Sequence, residues 1–236
     1  MQFRTLALAA GLLTTLCAQA GEAEIRKELA GKFPGAEIAS VSKTGYFGLY
    51  EVFMDGQLVY TDDAAKYVFV GNVIELATRR DLTQARLDKL LAVKWESLPL
   101  NNAIKIVKGK GERKLAVFSD VDCPFCRKFE AELAKVDNIT VYTFLYPVQG
   151  LHPRAEQASR QIWCAPDRNK AWDDYIQRGV LPKNDGKCDN PVDETIALGE
   201  KLRVSGTPTI IFQNGQRVPG MIPAAKLEQL LTAAGK

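Results

Sequence analysis

The chain has 236 residues, 46% of them hydrophobic and 25% charged, with a formal net charge of +3. That length accommodates one large core or two modest ones, and the composition is that of an ordinary soluble protein. With so small a net charge and no long basic run, nothing supports the phosphate neutralisation on which nucleic-acid binding rests, and that class is set aside.

The first twenty residues differ in kind from the rest. Arg4 supplies a positive start, residues 6–16 are almost wholly apolar or small, and Ala18-Gln19-Ala20 has the small-x-small form of a signal-peptidase site. The reading is a cleaved secretory signal over residues 1–20 and a mature chain that starts at Gly21. The apolar run is too short to span a bilayer, and bulky Leu16 does not suit the alternative, a lipid anchor on Cys17. Cleavage removes Cys17 and leaves Cys123, Cys126, Cys164 and Cys188 in an oxidising compartment, where an even number points to disulfides. Structural zinc usually gathers its ligands as two close pairs. Cys164 and Cys188 are far apart and His152 is the single histidine, so no metal and no other cofactor is expected.

Residues 23–32 carry a short amphipathic helical pattern, and strand-like runs follow at residues 37–44, 49–54, 57–61, 67–70 and 73–76. Asp55-Gly56 and Gly71-Asn72 separate neighbouring runs, and Asp-Gly between apolar segments is a strong hairpin signal. Residues 21–82 therefore read as a small α+β meander. A unit of roughly sixty residues buries little of its surface, so pairing with a second copy through an exposed strand edge is a natural remedy. The periodicity is equally compatible with a monomeric appendage resting on the larger domain.

Residues 83–93 read as a helix, with Leu87, Leu90 and Leu91 on one face and Asp81 or Thr83 to cap its start. Residues 94–102, interrupted by Pro99, read as a connector, so that residues 83–102 link two domains. In residues 103–236 the element types alternate. Strand 104–107, a Gly109/Gly111 turn, strand 114–119, a helix from Cys123 and strand 139–146 come first. Helices near 154–163, 170–178 and 192–202 follow, then strand 209–212, an Asn214-Gly215 turn, strand 216–219 and helix 223–234. Strand–helix–strand order with Cys-x-x-Cys at the strand-to-helix junction implies a βαβ unit.

The thiolate, not the thiol, attacks disulfides, so a redox cysteine needs its charged form stabilised. Cys123 follows an apolar strand and opens a helix, where unpaired N–H groups and the positive end of the macrodipole favour an anion. Pro124 suits the first helical position, which needs no N–H. Cys126 lies one turn along, within disulfide reach of Cys123 and nearer the domain body, which gives it the resolving role. An inert staple would gain little from closing so short a loop. Arg127 and Lys128 add positive charge nearby but read as solvated side chains, and Phe129 and Leu133 read as core. The second feature is Ser205-Gly206-Thr207-Pro208, directly before strand 209–212. A proline there donates nothing to a ladder, and taken alone it reads as an ordinary trans loop proline, a cis bond being the exception.

One ordered set of segments is more specific than any single piece. It comprises Phe118-Ser119-Asp120-Val121-Asp122-Cys123-Pro124-Phe125-Cys126, Gly150-Leu151, Ile162-Trp163-Cys164-Ala165, Ala197-Leu198-Gly199, Val204-Ser205-Gly206-Thr207-Pro208, Asn214-Gly215 and Val218-Pro219-Gly220. The set resembles the periplasmic disulfide isomerases of the DsbC and DsbG family over essentially the whole mature chain. The resemblance implies an α/β protein: a C-terminal thioredoxin fold with a helical insertion, a small N-terminal cystatin-like α+β dimerisation domain, and a linker helix, assembled as a V-shaped homodimer. It also implies Cys123 as nucleophile, Cys126 as resolving cysteine, a redox-active disulfide between them, and a structural disulfide Cys164–Cys188. Thr207-Pro208 becomes, on the same ground, a cis pair whose backbone holds a substrate strand.

The implied activity is reshuffling of incorrect disulfides in the periplasm, with chaperone-like binding of misfolded or mis-oxidised exported proteins and re-reduction by a membrane thiol reductase of the DsbD type. The alternatives are a DsbG-like reductase of sulfenylated single cysteines and a holdase with secondary redox activity. One departure bears on the subtype. DsbC-like members typically carry Gly-Tyr between the cysteines and DsbG-like members Pro-Tyr, whereas this chain has Pro124-Phe125. Asp120 and Asp122 are candidates for biasing the nucleophile or a proton transfer, with solvated or capping roles equally open. His152, before Pro153, reads as a loop or capping residue rather than a catalyst.

Overall fold

The computed structural model describes the backbone of residues 9–235 and the side chains of residues 21–235; the predicted signal sequence, residues 1–20, lies outside the fully described range. The chain divides into two compact units, one ending at Leu90 and the other starting at Leu91. Among the described residues no helix is long and apolar enough to cross a membrane.

The first unit opens with helix α1 (Ala9–Lys32), longer at its start than the amphipathic pattern of residues 23–32 predicts. Ile25 and Leu29, spaced i and i+4, bury that pattern's apolar stripe against Val41, Val52 and Val59. These residues belong to an antiparallel sheet of β1 (Ile38–Lys43), β2 (Tyr50–Met54), β3 (Gln57–Thr61) and β4 (Val68–Phe69), ordered as in the chain. Asp55 and Gly56 both take positive φ, 50° and 79°, the backbone a two-residue hairpin turn needs between Met54 and its partner Gln57. A ribbon of β5 (Ile74–Glu75) and β6 (Arg80–Asp81) leads into helix α2 (Leu82–Leu90). Of the two cap candidates, Asp81 acts: its Oδ1 accepts from the Gln84 N–H at 2.8 Å. Thr83 turns inward instead, its Oγ1 2.6 Å from the Tyr60 hydroxyl and accepting from the Val73 N–H at 2.9 Å. The helix stops short of the expected residue 93, because the Val93 N–H is taken by the Gly215 carbonyl at 3.0 Å and Val93 is buried in the second unit.

Two 3-10 turns, Trp95–Ser97 and Leu100–Asn102, occupy the predicted connector, and Trp95 and Leu98 are buried within the second unit. The elements that follow are β7 (Ile104–Lys108), β8 (Arg113–Ser119), α3 (Pro124–Leu133), β9 (Ile139–Leu145), α4 (Ala155–Trp163), α5 (Arg168–Arg178), α6 (Val192–Lys201), β10 (Thr209–Phe212), β11 (Arg217–Pro219) and α7 (Ala224–Ala234). The sheet order is β11-β10-β8-β9-β7. β8 runs parallel to β9 across α3, and the other pairings are antiparallel. Central strand β8 is covered on both faces, which explains its unbroken apolar run rather than an alternating one. Leu115 and Val117 pack with Phe129 and Leu133 of α3 and Leu227 and Leu231 of α7. Ala116 and Phe118 face the other way, toward Phe144, Tyr146 and Ile211. Helices α4 and α5 form a third cluster around Ile162 and Trp172.

Gly199 on α6 is fixed by packing, not by backbone conformation: a Cβ there would lie 2.2 Å from the Tyr146 ring. Gly199→Ala gains helix propensity of about 1 kcal/mol but forces an overpacked contact costing about 1–3 kcal/mol. The expected net result is a thermal midpoint lowered by a few degrees, checked by calorimetry. An unchanged or raised midpoint would show that α6 yields at that contact.

Candidate active site

Strand β8 delivers the chain at its buried end Ser119 into the loop Asp120-Val121-Asp122, and the geometry of that loop is set by one side chain. Asp120 is fully buried at 0% exposure. Its Oδ1 accepts from the Asp122 N–H at 2.8 Å, and its Oδ2 accepts from the Val148 N–H at 2.6 Å. The His152 Nδ1 lies 3.0 Å from the same Oδ2, within hydrogen-bond distance. The Asp120 carbonyl in turn accepts from the Cys123 N–H at 3.2 Å. A buried carboxylate without such donors would be strongly unfavourable, so these contacts are what hold Asp120 inside. On the far side of the loop the Tyr175 hydroxyl, from α5, donates to Asp122 Oδ1 at 2.6 Å.

Cys123 caps α3 with extended backbone, φ −71° and ψ 122°, and Pro124 occupies the first helical position. The Cys123 carbonyl accepts from the N–H groups of Cys126 and Arg127 at 3.1 and 3.2 Å, so the sulfur sits where the helix leaves donors unpaired. Both cysteines are free thiols, Cys123 at 5% and Cys126 at 1% exposure. Burial is the main cause that pushes the Cys126 thiol up to about 12, and the neighbouring Cys123 adds to it; contacts with Ser119, Asp120 and Thr207 oppose the rise. Cys126 therefore stays a thiol at neutral pH. The loop before β10 closes the site: the Thr207-Pro208 peptide is cis, and the Cys123 thiol faces the Thr207 carbonyl at 3.4 Å. That loop is fixed by the Gly220 N–H donating to the Pro208 carbonyl and the Thr209 hydroxyl donating to the Gly206 carbonyl, both at 2.7 Å.

Residues 100–235 match the Thioredoxin-like domain family, and residues 17–84 match the Disulfide bond isomerase protein N-terminal domain family. The probable thiol:disulfide interchange protein DsbC of Bordetella pertussis is 44% identical over 207 residues, which cover 88% of this chain and 73% of that protein. This chain belongs to the DsbC family of thiol:disulfide interchange proteins. The DsbC of Escherichia coli K12 is 30% identical over 218 residues, 91% of this chain and 89% of its own. A disulfide interchange protein from Neisseria gonorrhoeae, solved by crystallography, is 45% identical, with a TM-score of 0.57 over 59% of this chain and 99% of its own.

The other residues singled out from the sequence fall in two places. Cys164 and Cys188 are bonded to each other, with Cα atoms 5.6 Å apart, and join the end of α4 to the loop before α6. Among the described residues no three His, Cys, Asp or Glu side chains converge to hold a metal. Asp120 is buried and Asp122 half-buried, and their hydrogen bonds hold the loop that leads to Cys123. His152 is a loop residue, as the sequence indicates, but its ring also braces Asp120; 32 positions separate the two, and no spacing rule links them. Tyr175 carries no sequence signal either.

Glu130 is a further residue that sequence reading passes over. It lies on α3 one turn past Cys126, and burial pushes its carboxyl up to about 7. The Trp172 indole N–H favours the ionised form without reaching hydrogen-bond geometry, and so does not offset that burial. Between its ordinary 4.5 and about 7 the folded state binds more protons than the unfolded state, so this group lowers stability as pH rises through that window. Unfolding by urea is expected to be easier at about pH 7.5 than at about pH 5, by roughly 1–3 kcal/mol from this source. Glu130→Gln is expected to remove that slope, and a variant with the full slope retained would locate its origin elsewhere.

Proposed function

We propose that this chain is a periplasmic disulfide isomerase and reductase that repairs incorrect disulfides in exported proteins through Cys123-Pro124-Phe125-Cys126. The observation that carries the reading is the unequal pair: Cys123 at the mouth of α3, 3.4 Å from the carbonyl that precedes a cis proline, and Cys126 one turn deeper, held as a thiol. Cys123 thiolate attacks one sulfur of a substrate disulfide, forming a mixed disulfide and expelling the other sulfur as thiolate. A substrate strand laid along the Thr207 backbone is held by main-chain bonds, which suits many sequences. From the mixed disulfide a substrate thiol reshuffles the bond, or Cys126 attacks Cys123 and releases reduced substrate. The second exit leaves an oxidised enzyme, which calls for a membrane thiol reductase of the DsbD type. Pro124, the residue that DsbG-like chains place after the first cysteine, favours a second reading, reduction of sulfenylated single cysteines.

The working form in this reading is a homodimer built through the first unit. β4 is the edge of its sheet, and the chain around it leaves Val70 at 79% and Leu76 at 88% exposure, with Phe69 also exposed. An open apolar edge of this kind invites pairing with another strand.

With a scrambled multi-disulfide substrate, residues 21–236 are expected to restore native pairing and Cys123→Ala to fall to the uncatalysed rate. Cys126→Ala is expected to reshuffle while accumulating mixed disulfide on gels. Equal recovery by Cys123→Ala and the parent would overturn the catalytic reading, and activity only toward sulfenylated single-cysteine proteins would favour the second. Light scattering is expected to give a dimer for residues 21–236 and a monomer of unchanged circular dichroism for Val70→Asp/Leu76→Asp. A monomeric parent would exclude the dimer.

A further inference from the structure

A cleft of about 380 Å³ opens beside the redox dipeptide, bounded by Pro124, Asp122, Arg127, Leu151, His152 and Arg154. Pro124 directly follows Cys123, so a group in this cleft is within a few residues' reach of a sulfur joined to Cys123. The volume holds one polar side chain and several waters of ~30 Å³ each.

The cleft is distinguished by its arginines. Elsewhere in the second unit Arg113 is paired with Glu228, Arg160 with Glu156 and Asp193, and Arg178 with Asp174. Arg168 and Arg217 donate to backbone carbonyls. Arg127 and Arg154 are exposed, and among the described residues neither has a carboxylate or carbonyl partner. The Arg127 guanidinium stands 5.9 Å over the Tyr175 ring, which orients it without using its N–H donors. The one carboxylate lining the cleft, Asp122, already accepts the Tyr175 hydroxyl, and Asp120 behind it is taken up by the Asp122 and Val148 N–H groups and His152. Two arginines without such partners thus line the cleft together with one carboxylate, Asp122. Planar, bidentate donors of this type select carboxylates.

We propose that this cleft is a carboxylate-binding subsite that takes an Asp or Glu side chain lying a few residues from the substrate cysteine under attack. The proposal rests on the oxidoreductase reading above and adds to it a substrate class: disulfides in acidic sequence surroundings. The chemistry itself is unchanged. Cys123 thiolate bonds one substrate sulfur and expels the other, and Cys126 then displaces the substrate, so that two electrons pass from the dithiol to the substrate disulfide. Oxidised glutathione also carries carboxylates beside its disulfide, and the test separates the two sources.

The test uses reduced protein, residues 21–236, and disulfide peptides identical except for Glu, Gln or Lys at the positions flanking one cysteine, with oxidised glutathione as a separate arm. The parent is expected to reduce the Glu peptide about tenfold faster than the Gln peptide, with Lys slowest. The preference is expected to shrink as salt is raised. In Arg127→Gln/Arg154→Gln, both at exposed positions, the Glu-to-Gln ratio is expected to fall toward one. A ratio near one in the parent, or a tenfold ratio retained in the double variant, overturns the subsite. A double variant that loses glutathione reduction while its peptide ratio holds assigns the cleft to a small thiol and overturns the polypeptide assignment. If the parent reduces none of these disulfides, the failure belongs to the oxidoreductase reading itself.

Discussion

Asp120 gathers partners from two stretches of chain: the Asp122 N–H from its own loop, and the Val148 N–H and the His152 ring from the turn after β9. Its carbonyl meanwhile holds the Cys123 N–H. A carboxylate at zero exposure is tolerable only while those donors stay in place, so the loop conformation and the burial enforce each other. The position of Cys123 at the head of α3 follows from this knot more than from the helix itself. Removing the carboxylate would leave buried N–H groups without acceptors, and removing the donors would leave a buried charge.

The same local geometry makes the two cysteines unequal. They sit one turn apart on one helix, yet Cys123 stands at its open end beside the Thr207 carbonyl while Cys126 is turned into the body of the unit. Burial keeps Cys126 protonated. One sulfur thus lies at the open end of the helix and the other one turn deeper. That inequality follows from the direction of a helix and the depth of one turn.

Much of this was readable in the residues because the signals are local. The continuous apolar run of β8, the Asp55-Gly56 turn and the spacing of Ile25 and Leu29 each specify an element without reference to distant chain. So does the placing of Cys-Pro-Phe-Cys at a strand-to-helix junction. What stayed hidden is contact between residues far apart in sequence. Nothing near His152, Tyr175 or Arg154 announces that they converge on the redox loop, because that convergence is a product of how α4 and α5 pack. Likewise α2 ends early through a hydrogen bond between Val93 and Gly215, which lie at opposite ends of the second unit's sequence. The two-residue strand β6 was too short for any periodicity.

The bond between Cys164 and Cys188 spans 24 positions, and the whole of α5, with Tyr175 on it, lies inside that closed loop. Closing a loop of this length removes roughly 3–4 kcal/mol of unfolded-chain freedom on the chain-entropy account. The hydroxyl that donates to Asp122 is therefore carried by a segment tied down at both ends by one covalent bond.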